Sequence, residues 1–239
     1  MNIIMQEIQK EILITGKWSN IANVNLEHAF IINEVYKKKI YGSLDITKGD
    51  IVLDIGAHIG IFTTWALEHQ ATKIIAVEPN PENVRLWKKN ITSNCAQILD
   101  KAVTDKVGNA VLVIPAKSCR SSIEEEMVQK IYRKTKSGRP ANLGWSSCQV
   151  NTVSLKELIH QFNPTKMKFD AEGAEYSTDF SDLGKIEKFV IELHHSSESM
   201  LNKARFLVAN LENAGWQTTQ YLPKNSKHFP TVTLFKYKR

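Results

Sequence analysis

The chain has 239 residues, 42% of them hydrophobic and 23% charged, with a formal net charge of +6. That length suits one substantial domain with decoration rather than two full domains, and no apolar run reaches the roughly 18 residues a membrane helix needs. Three cysteines, Cys95, Cys119 and Cys148, stand too far apart to form a C-x-x-C pair, which argues against a zinc ribbon and against a disulfide framework.

The stretch from Met1 to Lys10 lacks the apolar block of a signal peptide, so a cytoplasmic location and no membrane partner are expected. The positive charge permits an anionic partner without requiring one. Residues 1–49, with apolar pieces Ile12-Leu13-Ile14 and Phe30-Ile31-Ile32, read as an N-terminal extension forming a lid or an added layer. From Asp50 to the end, residues 50–239, short β-branched runs alternate with helical stretches, the pattern of an α/β domain around a mainly parallel sheet.

In chain order, the first run is Ile51 to Ile55, followed by Gly56 and an apolar helix candidate from Ile59 to Leu67. A second run, Lys73 to Glu78, closes at Pro79, and a helix fits Pro81 to Asn90 with Pro81 in its first turn. A third run spans Ala96 to Val103, and Ala110 to Ile114 reads as an extra strand. Residues 115–149 form a long insertion, in which a helix from Ser122 to Lys134, capped by Ser121 or Ser122, is expected. Met167 to Asp170 and Phe189 to Leu193 are two more buried strands, and a helix follows from Ser199 to Asn213, stopped by Gly215. The closing runs, Trp216 to Leu222 and Thr231 to Tyr237, are joined too closely for a crossover helix and should pair antiparallel.

The segment Val52 to Gly60 (VLDIGAHIG) sets glycines at the carboxyl end of a buried strand, immediately before a helix. Its D-x-G-x-x-x-G spacing differs from the G-x-G-x-x-G that cradles a pyrophosphate. Asp54 suits a cofactor with a cationic amino-acid tail, meeting its ammonium or ordering water beneath it. Gly56 and Gly60, flanking Ala57 and His58, let the backbone turn tightly against a ligand. Glu78, ending the second strand before Pro79 and Asn80, stands where an acid binds ribose hydroxyls. Asp100, Lys101 and Ala102, near the end of the third strand, are positioned for a base such as adenine.

Together, VLDIGAHIG, Ala76 to Asn83 (AVEPNPEN) and Lys168 to Glu175 (KFDAEGAE) resemble, in order, the signature of the FkbM-like methyltransferases. That signature runs D-x-G-A-N-x-G, a strand ending E-P, then K-x-D-x-E-G-A-E, and the resemblance covers about Asp50 to His195. It implies a Rossmann-like methyltransferase fold with a mainly parallel seven-stranded sheet closed by an antiparallel hairpin. It also implies S-adenosylmethionine as cofactor, with Asp170 joining the cofactor residues above, and a hydroxyl oxygen of a small molecule or glycan as acceptor. The sequence departs from the pattern at His58, where Asn is usual, and at Ala171, where Ile or Val is usual.

Methyl transfer to an alcohol needs an acceptor held in line and a base to take its proton. Asp170 and Glu172 are the candidates for the reacting centre, with His194 as the base or as the group that orients it. Glu175 also suits an anchor for the helix after Gly173. No metal is expected, although Asp170, Glu192, His194 and His195 are ligand types that suit a divalent ion. The basic run Lys130 to Arg139 carries the alternative reading, an RNA or protein methyltransferase, with Tyr132, Trp18 and Trp145 as aromatics that line an acceptor site or simply pack. A third reading is a regulatory protein that binds the cofactor without catalysis. Nothing in the sequence specifies an oligomeric state.

Overall fold

The computed structural model describes residues 6, 26–105, 107–114, 121–123, 146–194, 197–221 and 231–235. His195, Tyr132, Trp18, Trp145, the Lys130–Arg139 run and residues 124–134 of the expected insertion helix lie outside them.

Two sheets organise the described chain. The main sheet holds β1 (Ile51–Ile55), β2 (Lys73–Val77), β3 (Ala96–Leu99), β7 (Lys166–Phe169), β8 (Lys188–Glu192), β9 (Gln217–Tyr221) and β10 (Thr231–Phe235). They lie in the order β3-β2-β1-β7-β8-β10-β9. The β1, β2, β3, β7 and β8 pairings are parallel, and β10 runs antiparallel to both β8 and β9. This is the parallel sheet closed by an antiparallel hairpin that the sequence leads one to expect. The strand order reverses between β1 and β7, and in open α/β sheets the carboxyl ends at such a point form the ligand crevice.

The second, three-stranded sheet orders β4 (Ala102–Val103), β6 (Ser146–Val153) and β5 (Asn109–Ile114) as β4-β6-β5. The run expected as one strand from Ala96 to Val103 is thus two: Lys101 N–H closes on Leu99 O at 3.0 Å, and Ala102–Val103 leaves the main sheet for β6. The β6 strand, reaching into the residues read as an insertion, pairs antiparallel with β5 from Ser146 to Asn151. Ser122 bridges Val113 and Ser121 accepts from Asn80 Nδ2; the helix they were expected to cap lies outside the described residues. Here the main-chain partner offered by Val113 takes Ser122 into extended pairing.

Among the described residues five α-helices flank the sheets: α1 (Leu26–Ile32), α2 (Ile61–Glu68), α3 (Pro81–Asn90), α4 (Leu155–Phe162) and α5 (Glu198–Asn213). Local chemistry sets their ends. Asn80 caps α3 by accepting from Glu82 N–H, with Pro81 in the first turn. Ser154 and Glu157 form a reciprocal capping box at α4. Ser197 caps α5, which ends before Gly215 at φ 89°.

Strand alternation divides the core between the two faces of the main sheet. Leu53, Ile55, Met167 and Phe169 point to the side of α4 and α5, packing with Leu158, Ile159 and Leu211. Val52, Ile74 and Val190 point the other way, against Phe62 and Trp65 of α2. The same cluster takes in Ala29, Ile32, Val35, Tyr41, Leu44 and Ile46, so the described part of the N-terminal extension is a packed layer on that face. Among the described residues no helix is long and apolar enough to cross a membrane.

Candidate active site

The site is built on the register between β1 and β7. Asp54 lies beside Lys168 in the parallel ladder, on the face covered by α2 and the N-terminal layer. Asp54, fully buried, accepts a hydrogen bond from Thr63 Oγ1 at 2.7 Å and pairs with Lys168 Nζ at 3.3 Å. Trp87 Nε1 donates in turn to Thr63 Oγ1 at 3.1 Å, tying α3 to the same chain of contacts. Lys168 Nζ also donates to the carbonyls of Ile55 (3.2 Å) and Gly56 (2.7 Å) and stands 3.7 Å from Asp170 Oδ2. Burial alone would lower the Lys168 ammonium, but Asp54 and Asp170 overcome it and raise it above the usual lysine range. One buried cation therefore clamps the end of β1 to the end of β7.

The glycine turn after β1 follows directly. Gly56 takes φ 75°, and a Cβ there would collide with the carbonyl oxygen of Asp170. Only glycine lets the two strand ends approach this closely. Ala57 is buried under the turn, and Gly60 at φ 94° opens α2 against Trp87 and Ile91. His58 holds φ 51° and donates its N–H to Glu78 Oε2 at 2.9 Å. Glu78 Oε1 accepts from Asn80 N–H (2.9 Å) and Asn83 Nδ2 (3.1 Å), so three donors fix this buried carboxylate at the mouth of β2. Burial pushes the Glu78 carboxyl up, and the backbone donors of Asn80 and His58 work against that shift. Beside it, Asn83 Oδ1 is buried without a hydrogen-bond partner.

Pro79 is half-buried next to Glu78, and Asn80 is buried as the α3 cap. Asp100 is exposed and Lys101 half-buried beyond the end of β3, whereas the Ala102 side chain packs against Leu112 and Val150 in the small sheet. The structure thus gathers Gly56, His58, Glu78 and Asn80 tightly around one turn. Asp54 lies beneath it with no exposed surface, and the Leu99 carbonyl, just before Asp100–Ala102, accepts from Glu78 N–H at 3.1 Å.

Beyond β7, Glu172 at φ 48° and Gly173 at φ 106° turn the chain back on itself. Ser122 Oγ donates to the Glu172 carbonyl at 2.7 Å. Buried Glu175 accepts from Gly173 N–H (2.8 Å), from His194 N–H (2.7 Å) and from His194 Nδ1 (3.2 Å). It anchors both the turn and the end of β8. His194 Nε2 faces outward between Asp170 Oδ1 and Glu172 Oε2, 3.6 Å from each. Burial alone would lower the His194 imidazole, but Glu172, Glu175 and Glu192 overcome it and raise it well above the usual histidine range. The three residues expected at the reacting centre, Asp170, Glu172 and His194, therefore meet.

Two contributors escaped the sequence reading. Tyr41, from the N-terminal layer, donates its hydroxyl to Asp170 Oδ2 at 3.3 Å and stacks edge-on against Phe62. Burial and then Asp170 raise its phenol well above the ordinary range, so it stays a donor. The other is Lys168, first residue of KFDAEGAE, whose invitation to look was the K-x-D spacing itself.

The Methyltransferase FkbM domain model matches residues 54–217, from the buried Asp54 to the start of β9. The chain belongs to the FkbM methyltransferase family. It is a methyltransferase whose cofactor is S-adenosylmethionine. Methyltransferase sdnD of Sordaria araneosa is 23% identical over 190 residues, 69% of this chain and 73% of that protein. The FkbM methyltransferase of Streptomyces tacrolimicus, named for 31-O-demethyl-FK506, is 32% identical over 96 residues, spanning 38% of this chain and 37% of its own. Among solved structures, M. capricolum TrmK with S-adenosylhomocysteine aligns over 84% of this chain and 68% of that chain, at 8% identity and a TM-score of 0.44.

The residues present fit this cofactor. A preorganised carboxylate, Glu78, with the orphaned Asn83 Oδ1 beside it, suits the hydroxyls of a ribose. The turn above Asp54 carries a buried acid where a dinucleotide fold would present its phosphate cradle.

Proposed function

We propose that this FkbM-family enzyme transfers a methyl group to a hydroxyl oxygen of a small-molecule or glycan acceptor. The observation that carries this reading is the pair of partly exposed carboxylates, Asp170 and Glu172, at the crevice end of β7 beside the cofactor turn. An alcohol must lose its proton as it is methylated, and a carboxylate within reach takes it. The Streptomyces tacrolimicus relative, named for a 31-O-demethyl substrate, supports oxygen as the target atom. Asp170 and Glu172 present carboxylate oxygens at the crevice mouth, which favours a neutral polyhydroxyl acceptor over a phosphodiester.

In this reading Glu78 holds the ribose, with Pro79 and Asn80 shaping its edge. Asp100 and Lys101, with the backbone of Ala102, border the adenine. Gly56, Ala57, His58 and Gly60 form the turn against the amino-acid tail, and Asp54 supports that turn from below. S-adenosylmethionine supplies an electrophilic methyl on its sulfonium when bound. Asp170, anchored by Tyr41 and Lys168, orients the acceptor. Glu172 takes the hydroxyl proton, and His194, behind both carboxylates, orients them.

Incubation with methyl-labelled cofactor and a panel of hydroxylated natural products and sugars tests this. Asp170→Asn and Glu172→Gln should each lower turnover by about 100-fold or more while cofactor affinity persists. Unchanged turnover would remove both from the chemistry.

A further inference from the structure

The side chains that crown β7 and β8 also form a donor set for a cation. One ligand atom each from Asp170, Glu192 and His194 lies within 4.8 Å of the others. His194 Nε2 and Asp170 Oδ1 are 3.6 Å apart, too far for a good hydrogen bond. That separation is close to what two ligands take across one ion when each bond is about 2.1 Å.

A second feature concerns how the imidazole is held. Buried Glu175 takes the Nδ1 side of His194 at 3.2 Å, and the same oxygen takes the His194 backbone N–H at 2.7 Å. The ring is thereby pinned with Nε2 presented to the two outer carboxylates. A carboxylate behind the far nitrogen is the arrangement that orients and strengthens a metal-binding histidine. A third feature is Glu192, whose carboxylate accepts no hydrogen bond from any described residue. It stands beside Asp170 with its lone pairs uncommitted.

We infer that Asp170, Glu192 and His194 bind a divalent cation of the Mn2+ class beside the cofactor crevice. The inference rests on the methyl-transfer reading above. Imidazole together with two carboxylates suits Mn2+ better than Mg2+, which prefers oxygen ligands alone. An ion there has room for the acceptor: three protein ligands leave coordination positions that a hydroxyl, or two neighbouring hydroxyls, can take. Coordination lowers the hydroxyl's pKa, and its proton passes to Glu172. The oxygen then forms its bond to the methyl carbon as the carbon–sulfur bond breaks, and that electron pair stays on sulfur as a neutral thioether. The cation also selects its acceptor, because a vicinal diol chelates where a lone alcohol does not.

Electron paramagnetic resonance of Mn2+ titrated into the purified full chain tests the site without reference to turnover. The expected result is one stoichiometric site per chain, weakened at least 10-fold by Glu192→Gln. That variant should melt no lower than the wild type without metal, because Glu192 takes no hydrogen bond from a described residue. Absence of a stoichiometric site, or affinity unchanged in Glu192→Gln, overturns the inference. Methyl transfer to a hydroxyl that proceeds undiminished in a chelator would overturn the role of the ion and leave the methyl-transfer reading standing. Stoichiometric Mn2+ binding without transfer to any hydroxyl would uphold the site and defeat that reading.

Discussion

Lys168 carries more of this site than any other single side chain. Its ammonium is buried with Asp54, caps the carbonyls of Ile55 and Gly56, and reaches Asp170. Removing one member of such a buried pair strands the other charge. Lys168→Met should therefore cost about 3–5 kcal/mol of stability, read from the urea midpoint; a midpoint equal to wild type would mean that Asp54 needs no counter-charge. His58 gives a different, pH-linked expectation. Burial, then His28 and Lys168, push its imidazole down to about 3, whereas in the unfolded chain it titrates near 6.5. The unfolded state thus binds the proton first. The contribution to stability is complete above about pH 6.5 and is lost as pH falls from there towards about 3. His58→Asn, with the residue usual in the resembled signature, should show a smaller drop in melting temperature between about pH 7 and pH 5. An identical drop would place the acid sensitivity elsewhere. At this scale the sequence disclosed Gly56, Glu78 and Asp170 through motif spacing. The K-x-D spacing marks Lys168 while its contacts follow from strand register, and Tyr41 was hidden because it reaches Asp170 from a distant segment that no local pattern encodes.

Elements whose ends are set by local chemistry were the most legible. The α3 helix matches its expected span because Asn80, Pro81 and the apolar Val84, Leu86 and Trp87 all agree. The capping box of α4 makes a direct prediction: Ser154→Ala should cost about 1 kcal/mol and leave cofactor binding unchanged. Thermal denaturation of the two proteins reads the cost, and equal stability would mean that the first-turn donors are satisfied by water. The β6 strand was illegible for a physical reason. Its first half, Ser146 to Gln149, is polar and mostly exposed, and it becomes a strand through the ladder it makes with β5. Ala96 to Val103 misled in the opposite sense, because continuous β propensity conceals the turn at Asp100-Lys101 where the chain changes sheets.

The whole molecule follows from hydrophobic alternation in the strands and from the short link before the last strand. These give a parallel sheet with an antiparallel end and put the crevice between β1 and β7. The N-terminal layer then does more than cover apolar surface. It packs Ile32, Val35 and Leu44 on the sheet and delivers Tyr41 to Asp170, so the side-chain cluster around Asp170 combines β7, β8 and the extension. The central claim is that this crevice binds S-adenosylmethionine with Glu78 as the ribose ligand. Calorimetric titration of wild type and Glu78→Ala with S-adenosylmethionine and with NAD tests it most directly, with melting curves run alongside to verify folding. The expected result is binding of S-adenosylmethionine, none of NAD, and a folded variant weakened about 10- to 100-fold by loss of charge-assisted hydrogen bonds worth about 1.5–3 kcal/mol. Equal affinity in the folded variant would contradict it.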